Sequence, residues 1–579
     1  MYKSIPEVFF ETAKKYGKKP ALLYKKEGVY FPITYTELEK KVKIFASGLQ
    51  KLGIEKGDNI AILSENRPEW VISDLAIMAS GGVVVPLHTT FSAKAIANVL
   101  THSKSKILIV SNSDLLNKVL IGQKHLKYLK KVIFLDKLTS SQKEILTNKV
   151  IGWNAILKQK NESEYEDIFL DPDDPCSIIY TSGTTGKPKG VVLSHMNFLS
   201  NTEAINEVIP VKESDVFLSF LPLSHVLERQ AGYYMPLCYG ATIAYAEGIK
   251  QLPQNLKEVK PTILISVPRI FEKFHDAIWD KVNSSSKLQK KLFLWALRQK
   301  KGCALYRLAD ILVFKKVRQQ LGGKLRISVS GGASLNEKVA RFFSKMGILI
   351  LDGYGLTETS PVVSVNREND LKFGTVGKLI PGVKIKIKED TKEVLVRGPN
   401  VFKEYFKNKK ETKQSFDKEG WFQTGDMGFY DKQGFLTIIG RGKEMIVTSG
   451  GKNVWPEKIE NLLNDDKFVS QSMALGNKRK FISALIVPDW QEVEIYMKEN
   501  NLPLQEHQNL IKKPHILEIF QKRLDEKINP NLDDFEKIKK FKLLPQEFSQ
   551  EQDELTPTLK LRRHIVEKHY KKAIESMYK

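Results

Sequence analysis

Cysteine is scarce: Cys176, Cys238 and Cys303 are the three in 579 residues. Three widely spaced thiols make neither a disulfide framework nor a zinc ligand set, which points to a reducing compartment. Long apolar runs are missing too. The longest, "AIMASGGVVVPL" (76–87), spans 12 residues and contains two glycines, whereas a membrane-spanning helix needs roughly 20. The opening "MYKSIPEVFFETAKKYGKKP" mixes acidic residues into its apolar ones and does not read as a signal peptide. The expectation is a cytoplasmic protein, soluble or peripheral on the inner face of a membrane. No RRM signature, C2H2 finger or bZIP repeat is present, so no nucleic-acid partner is expected.

Charge is abundant and uneven. Lys plus Arg total 91 against 67 acids, a net +24. Residues 250–326 hold 18 basic and 5 acidic side chains, whereas 442–579 hold 24 and 22. The first of these stretches favours an anionic neighbour. A hydrophobic content of 42% with 27% charged residues argues against wholesale disorder, and the length demands more than one core.

Much of the first 440 residues alternates short Val/Ile-rich runs with helical periodicity. Strands are expected at 58–66, 81–87, 106–112, 131–136, 176–181, 262–267, 325–331 and 347–353, and a helix over 34–53. That alternation predicts an α/β class, with a large multi-layered N-terminal domain of mostly parallel sheets. From about 375 to 440 the pattern turns to period two, "GVKIKIKEDTKEVLVRGPNVFKEYF", a β-rich subdomain of hairpins. A boundary is placed within 440–443, leaving 441–579 as a small, mobile α+β domain.

"YTSGTTGKPKG" (180–190) crowds glycines, hydroxyls and lysines together. It fails the Walker A spacing, because Pro188 stands five residues after Gly183. Strand-like "CSIIY" and "VVLSH" flank it, so it is expected at the tip of a hairpin. Backbone amides at glycines, with Ser, Thr and Lys donors, suit phosphate oxygens; a plain polar turn is the bland reading.

Over its full length "YTSGTTGKPKGVVLSH" (180–195) resembles the phosphate-loop signature of the adenylate-forming superfamily: acyl-CoA synthetases, luciferases and nonribosomal adenylation domains. The other signatures follow in order: "GYGLTETSP" (353–361), "GWFQTGDMG" (420–428), "GRGKEMIVTSGGKNVWPEKIE" (440–460) and "LTPTLKLRR" (555–563). "FLPLSHVLER" (220–229), "SVPRIFEKF" (266–274) and "ELTPTLK" are similar to the long-chain fatty acyl-CoA ligase branch. The resemblance implies activation of a fatty acid by ATP through an acyl-adenylate, then transfer to CoA, with Mg2+ required. An acceptor carrier protein, or a medium-chain or aromatic acid, is the alternative.

By that resemblance Thr181, Ser182, Gly183, Thr184, Thr185, Gly186 and Lys187 cradle the phosphates. Glu358 ligates Mg2+ with Thr184 nearby. Tyr354, within Asp352, Gly353, Tyr354, Gly355 and Thr357, stacks on adenine, with Gly332 and Ala333 of "GGAS" (331–334) as the opposite wall. Asp426 takes the ribose hydroxyls, a task suited to a two-oxygen acceptor, and Arg441 reaches ribose or phosphate. Lys560 is the cation that neutralises charge during adenylation; the family's usual glycine before it is Leu559 here. Lys443 is the hinge about which the small domain turns, bringing Ser449, Gly450, Gly451 and Lys452 to the thiol channel. His225 is placed near the acyl carboxylate, gating thioester formation, whereas His195 is read as structural.

The acyl tunnel leaves a weak trace. "QAGYYMPLCYGATI" (230–243) resembles the wall of a long-chain pocket, although core packing gives the same composition. In 250–326, Leu288, Leu292 and Trp295, then Leu305, Leu308 and Leu312, recur at helical spacing among lysines and arginines. Such helices suit an anionic membrane surface as well as an ordinary solvated face. A homodimer is left open.

Overall fold

The computed structural model describes residues 4–121, 127–136, 149–158, 165–181, 188–556 and 560–579. These divide into two compact units. The first comprises Met1–Ile385, Val396–Gln423 and Asp431–Leu436; the second comprises Lys386–Leu395, Thr424–Tyr430 and Thr437–Lys579.

The first unit is built on two large sheets. One is eight-stranded. Its parallel run pairs Pro175–Thr181, Val83–Leu87, Asn59–Leu63, Ile107–Val110, Lys131–Phe134 and Val150–Gly152. Strands rich in Val and Ile suit this setting because helices cover both faces; Ile60, Ala61, Ile62 and Leu63 are all fully buried. Between strands, the helix Tyr35–Lys51 starts at a capping box in which Thr34 and Glu37 exchange hydrogen bonds, satisfying otherwise orphaned amides.

The second sheet has nine strands. Ile350–Gly355, Ile327–Ser330, Ile263–Ser266, Val216–Ser219, Thr242–Tyr245 and Pro20–Lys26 run parallel. Val362–Val365 and Lys378–Leu379 extend it antiparallel beyond Ile350–Gly355. The carboxyl ends of the two sheets meet. Asn66, three residues past Leu63, donates to Ser219 Oγ (3.0 Å) and to the Leu221 carbonyl (2.7 Å).

Sequence reasoning saw "QAGYYMPLCYGATI" as pocket wall or core. Tyr233 and Tyr234 belong to the core: both hydroxyls donate to Asp74, at 3.0 and 2.9 Å. Asp74 is also paired with the fully buried Arg229, whose guanidinium reaches Ser177 Oγ at 2.6 Å. Removing either charge would strand the other in a dry interior, which costs about 3–5 kcal/mol.

The β-rich stretch folds as a four-stranded sheet in the order Lys384–Ile387, Glu393–Arg397, Phe422–Tyr430, Leu436–Arg441. Its "EY" dipeptide leaves that pattern: Glu404–Tyr405 joins the eight-stranded sheet, antiparallel to Lys189–Ser194. In the second unit, Val469–Leu475 pairs antiparallel with Ile482–Pro488, which pairs parallel with Ile538–Leu543. Helices Pro456–Asn464, Trp490–Glu499 and Pro514–Arg523 pack around Ile482, Ala484 and Ile486, all fully buried, in an α+β core.

Candidate active site

The strands on either side of residues 182–187 form a hairpin. Pro175–Thr181 and Lys189–Ser194 pair antiparallel, with Thr181 opposite Lys189. Ser182, Gly183, Thr184, Thr185, Gly186 and Lys187 lie outside the described residues. The hairpin is packed too closely for a side chain at Gly190, where a Cβ would stand 2.8 Å from Ile178 and 3.2 Å from the Tyr180 ring. Lys189 is engaged by Glu411.

The strand Ile350–Gly355 carries Asp352, Gly353, Tyr354 and Gly355 at the edge of the parallel run. Its glycines answer to close backbone approach. A Cβ at Gly355 would sit 1.9 Å from the Pro361 carbonyl oxygen, and one at Gly353 would sit 3.2 Å from Val365. The Leu335 amide donates to Asp352 Oδ2 at 3.4 Å, which ties the "GGAS" turn to this strand; Gly332 takes a φ of +85° there. Gly332 and Ala333 are exposed. The other oxygen, Asp352 Oδ1, is buried with no hydrogen-bond partner. Burial pushes this carboxyl up to about 8.

Just past the strand, Thr357–Thr359 form a single 3-10 turn. The Phe402 amide donates to the Glu358 carbonyl at 2.8 Å, and the Tyr405 hydroxyl donates to Glu358 Oε1 at 2.8 Å.

His225 begins the crossover after Val216–Ser219. Burial pulls its imidazole down to about 4. Its Nδ1 accepts the Leu227 amide at 3.2 Å, so the proton of the neutral ring sits on Nε2. Leu227 in turn stands where a Cβ on Gly331 would touch it, at 3.3 Å, so His225, the "GGAS" turn and Asp352 gather at one sheet edge. Sequence reasoning missed His88. It follows the strand Val83–Leu87, pairs with Ser224 Oγ at 2.7 Å, and lies 6.5 Å from His225 between ring centroids. Its position just beyond a buried strand was the available signal. Glu228 was also missed; burial pushes it up to about 8 against a smaller opposing pull from Ser219. His195, read as structural, is buried, with Nδ1 accepting the Ile5 amide at 3.3 Å.

In the second unit, Asp426 and Arg441 come together on neighbouring strands. Arg441 Nε stands 3.1 Å from Asp426 Oδ1, and the carboxylate is only 6% exposed. Lys443 is exposed in the 3-10 turn Gly442–Glu444. Ser449, Gly450, Gly451 and Lys452 are exposed in the tight turn between Ile446–Val447 and Asn453–Val454. There the Gly451 amide donates to the Thr448 carbonyl at 2.9 Å, with Gly451 at φ +74°. The Lys560 amide donates to Thr556 Oγ1 at 2.9 Å, and the Lys560 carbonyl accepts the Thr556 amide at 2.7 Å. The neighbouring cations are engaged: Arg562 by Asp553, and Arg563 by Glu460 at 2.5 Å. Lys560 is close enough to Glu457 to oppose the upward push of burial on that carboxyl.

Residues 9–406 match the family described as AMP-binding enzyme, and residues 443–579 match its C-terminal domain. The chain is 34% identical to the long-chain-fatty-acid–CoA ligase FadD15 of Mycobacterium bovis, over 95% of this chain and 93% of the relative. It is 29% identical to the long-chain-fatty-acid–acyl-carrier-protein ligase AEE15 of Arabidopsis thaliana, over 100% of this chain and 87% of the relative. Its fold matches the adenylation domain of a carboxylate reductase from Mycobacterium chelonae with a TM-score of 0.82 at 21% identity, covering 99% of this chain and 91% of that one. The five signatures, the two-sheet fold and these matches agree, and the chain belongs to the AMP-binding enzyme family.

Proposed function

We propose that the chain is a fatty acid–CoA ligase for long acyl chains. It joins the acid to ATP as acyl-adenylate with release of pyrophosphate, then passes the acyl group to the CoA thiol with release of AMP. The observation that carries this reading is the cluster at one sheet edge: Asp352, Tyr354 and Glu358 lie on or just past one strand, and Asp352 Oδ1 is buried without a partner. A buried polar atom without a partner is costly unless a ligand completes it; near neutrality the raised carboxyl keeps its proton, and a ring nitrogen of adenine is an acceptor for it. ATP and CoA as substrates fit the family, and the long-chain name of the mycobacterial relative supports the acyl assignment.

A divalent cation fits beside Glu358. Tyr405 donates to Oε1, and a single carboxylate completed by substrate phosphates is a donor set that suits Mg2+. Glu358, with the Thr184 hydroxyl, would hold it; when bound it offsets phosphate charge and orients the leaving group. Gly332, Ala333, Gly353, Gly355 and Thr357 wall the adenine slot around Tyr354, while Asp426 and Arg441 serve the ribose. His225, neutral and donating from Nε2, orients the acyl carboxylate. Lys560 supplies the cation for adenylation. The domain 441–579 turns about Lys443 afterwards, bringing the Ser449–Lys452 turn to the thiol.

The test is pyrophosphate release with ATP, Mg2+ and acids from acetate to palmitate, with and without CoA. Release strongest for long chains with formation of acyl-CoA is expected. Long-chain release without acyl-CoA would move the acceptor to a carrier protein, as in the name of the Arabidopsis relative. No release with any acid would overturn the reading.

The basic segment supports a second element: contact with an anionic bilayer, from which long-chain acids partition. Leu305, Leu308, Ile311 and Leu312 recur along the continuous helical stretch Ala304–Gln320 and are exposed, Leu305 to 54% and Ile311 to 64%. Residues 287–316 hold nine basic side chains and one acid, Asp310, which is bound to Arg318 at 2.5 Å. Exposed leucines in a stretch with so large a surplus of cations suit the headgroup region of anionic lipid. Among the described residues no helix is long and apolar enough to cross a membrane. Phosphatidylcholine vesicles should recruit the protein only when phosphatidylglycerol is added. Leu305→Asp with Ile311→Asp should abolish recruitment yet leave octanoate adenylation intact. A dimer that these substitutions convert to monomer would assign the face to a second copy instead.

A further inference from the structure

Tyr405 falls outside every sequence signature, yet it touches the carboxylate on which the metal assignment rests. The segment Phe402–Tyr405 grips Glu358 at two points: the Phe402 amide donates to its carbonyl at 2.8 Å, and the Tyr405 hydroxyl donates to Oε1 at 2.8 Å. The same segment holds the strand that leaves the phosphate loop. Tyr405 pairs with Val191, the Phe406 amide donates to the Gly190 carbonyl at 2.7 Å, and Lys189 Nζ lies 5.2 Å from the centre of the Tyr405 ring. Tyr405 is 5% exposed and its ring packs against Phe402 at 4.7 Å between centroids.

The terminal torsion of a glutamate is broad and roughly two-fold, and a carboxylate free to rotate presents either oxygen, or neither, to a cation. One hydrogen bond from a rigid, buried phenol removes that freedom. We propose that Tyr405 is a positioning residue for Glu358: it fixes Oε1 and so aims Oε2 at the divalent cation, locking the metal carboxylate to the register of the phosphate-loop hairpin. The inference rests on the metal role given to Glu358 above. Supporting partners of metal ligands typically contribute about 10–100-fold in metal affinity.

The experiment is Mn2+ binding in the presence of ATP, read from the EPR signal of free Mn2+, for the full chain and its variants. Tyr405→Phe deletes only the hydroxyl and should weaken Mn2+ binding about 10-fold, with a matching rise in the Mg2+ needed for half-maximal pyrophosphate release and little loss at saturating Mg2+. Phe416→Leu loosens the neighbouring aromatic packing, where Phe416 stacks on Phe402 at 5.6 Å, without touching the hydroxyl, and should bind Mn2+ normally. Glu358→Gln should bind weakly, and adding Tyr405→Phe to it should change nothing further. Normal binding by Tyr405→Phe beside weak binding by Glu358→Gln would overturn the inference and leave the metal assignment standing. An equal loss in Phe416→Leu would reduce Tyr405 to packing and overturn it as well. Normal binding by Glu358→Gln would overturn the metal assignment itself.

Discussion

The rings of His88 and His225 stand 6.5 Å apart between centroids, tilted by 35°, and neither carries a proton charge near neutrality. Burial takes His225 down to about 4. Burial, with a smaller contribution from His225, takes His88 down to about 3. Two imidazolium ions this close in a dry site would repel, and desolvation alone already disfavours either one.

A neutral His225 makes a kinetic prediction. An ordinary histidine titrates near about 6.5, so a thioester-forming step that depended on its charge would inflect there. Here the rate of acyl transfer from supplied acyl-adenylate should show no inflection assignable to His225 between about pH 5.5 and 8, well above its folded value. His225→Ala should slow that half-reaction by about 10-fold or more, the loss of one buried hydrogen-bonding group. Single-turnover rates across pH, wild type against variant, check both statements. An inflection near the ordinary histidine value that vanishes in His225→Ala would contradict the geometry.

The same burial sets a stability trend. His88, His195 and His225 all have folded values lowered from 6.5, to about 3, 3 and 4, with burial the largest cause in each. Between those values and 6.5 the unfolded chain binds more protons than the folded one, so stability falls as pH drops through this window. His195→Gln removes one such group while keeping an acceptor for the Ile5 amide. Its unfolding temperature should fall less than that of wild type between about pH 7 and 5. Parallel curves would show that His195 is not protonated on unfolding.

Asp426 and Arg441 were expected at the ribose separately, and they occur as an ion pair with Nε 3.1 Å from Oδ1. Asp426 is therefore oriented by Arg441 before nucleotide arrives. Asp426→Asn keeps the shape but gives up the anionic acceptor. ATP binding, measured by calorimetry, should weaken about 10–100-fold, in line with loss of charge-assisted hydrogen bonds. Arg441→Lys loses the fixed fork geometry and should weaken ATP binding less. Unchanged affinity in Asp426→Asn would remove that residue from the ribose.

Much of this fold could be read from periodicity. The expected strands at 58–66, 81–87, 106–112 and 131–136 appear as Asn59–Leu63, Val83–Leu87, Ile107–Val110 and Lys131–Phe134, and the helix predicted over 34–53 spans Tyr35–Lys51. Each is specified locally by its own apolar pattern. Tyr405 was illegible for the opposite reason: a two-residue strand has no period, and its partner Val191 lies over two hundred residues away. His88 was hidden likewise, because its link to Ser224 exists only once the two sheets meet. Conversely, Tyr233 and Tyr234 offered a pattern shared by pocket and core, and only Asp74 beneath their hydroxyls separates the two.

Lys560 gives the sharpest separation of the two half-reactions. Its neighbours Arg562 and Arg563 are committed to Asp553 and Glu460, so neither can take over its charge without giving up an ion pair. Lys560→Ala should then lower adenylation, followed as pyrophosphate release, by about 10²-fold or more, the scale seen when one group stabilising transition-state charge is removed. Thioester formation from supplied acyl-adenylate and CoA should stay within about 3-fold of wild type, because in the proposed cycle the C-terminal domain has turned and withdrawn Lys560 before that step. Lys560→Arg restores charge but not the shape of an ammonium, and should recover only part of the rate. Equal loss of both half-reactions in Lys560→Ala would take the residue out of adenylation and make it a structural support of the C-terminal domain.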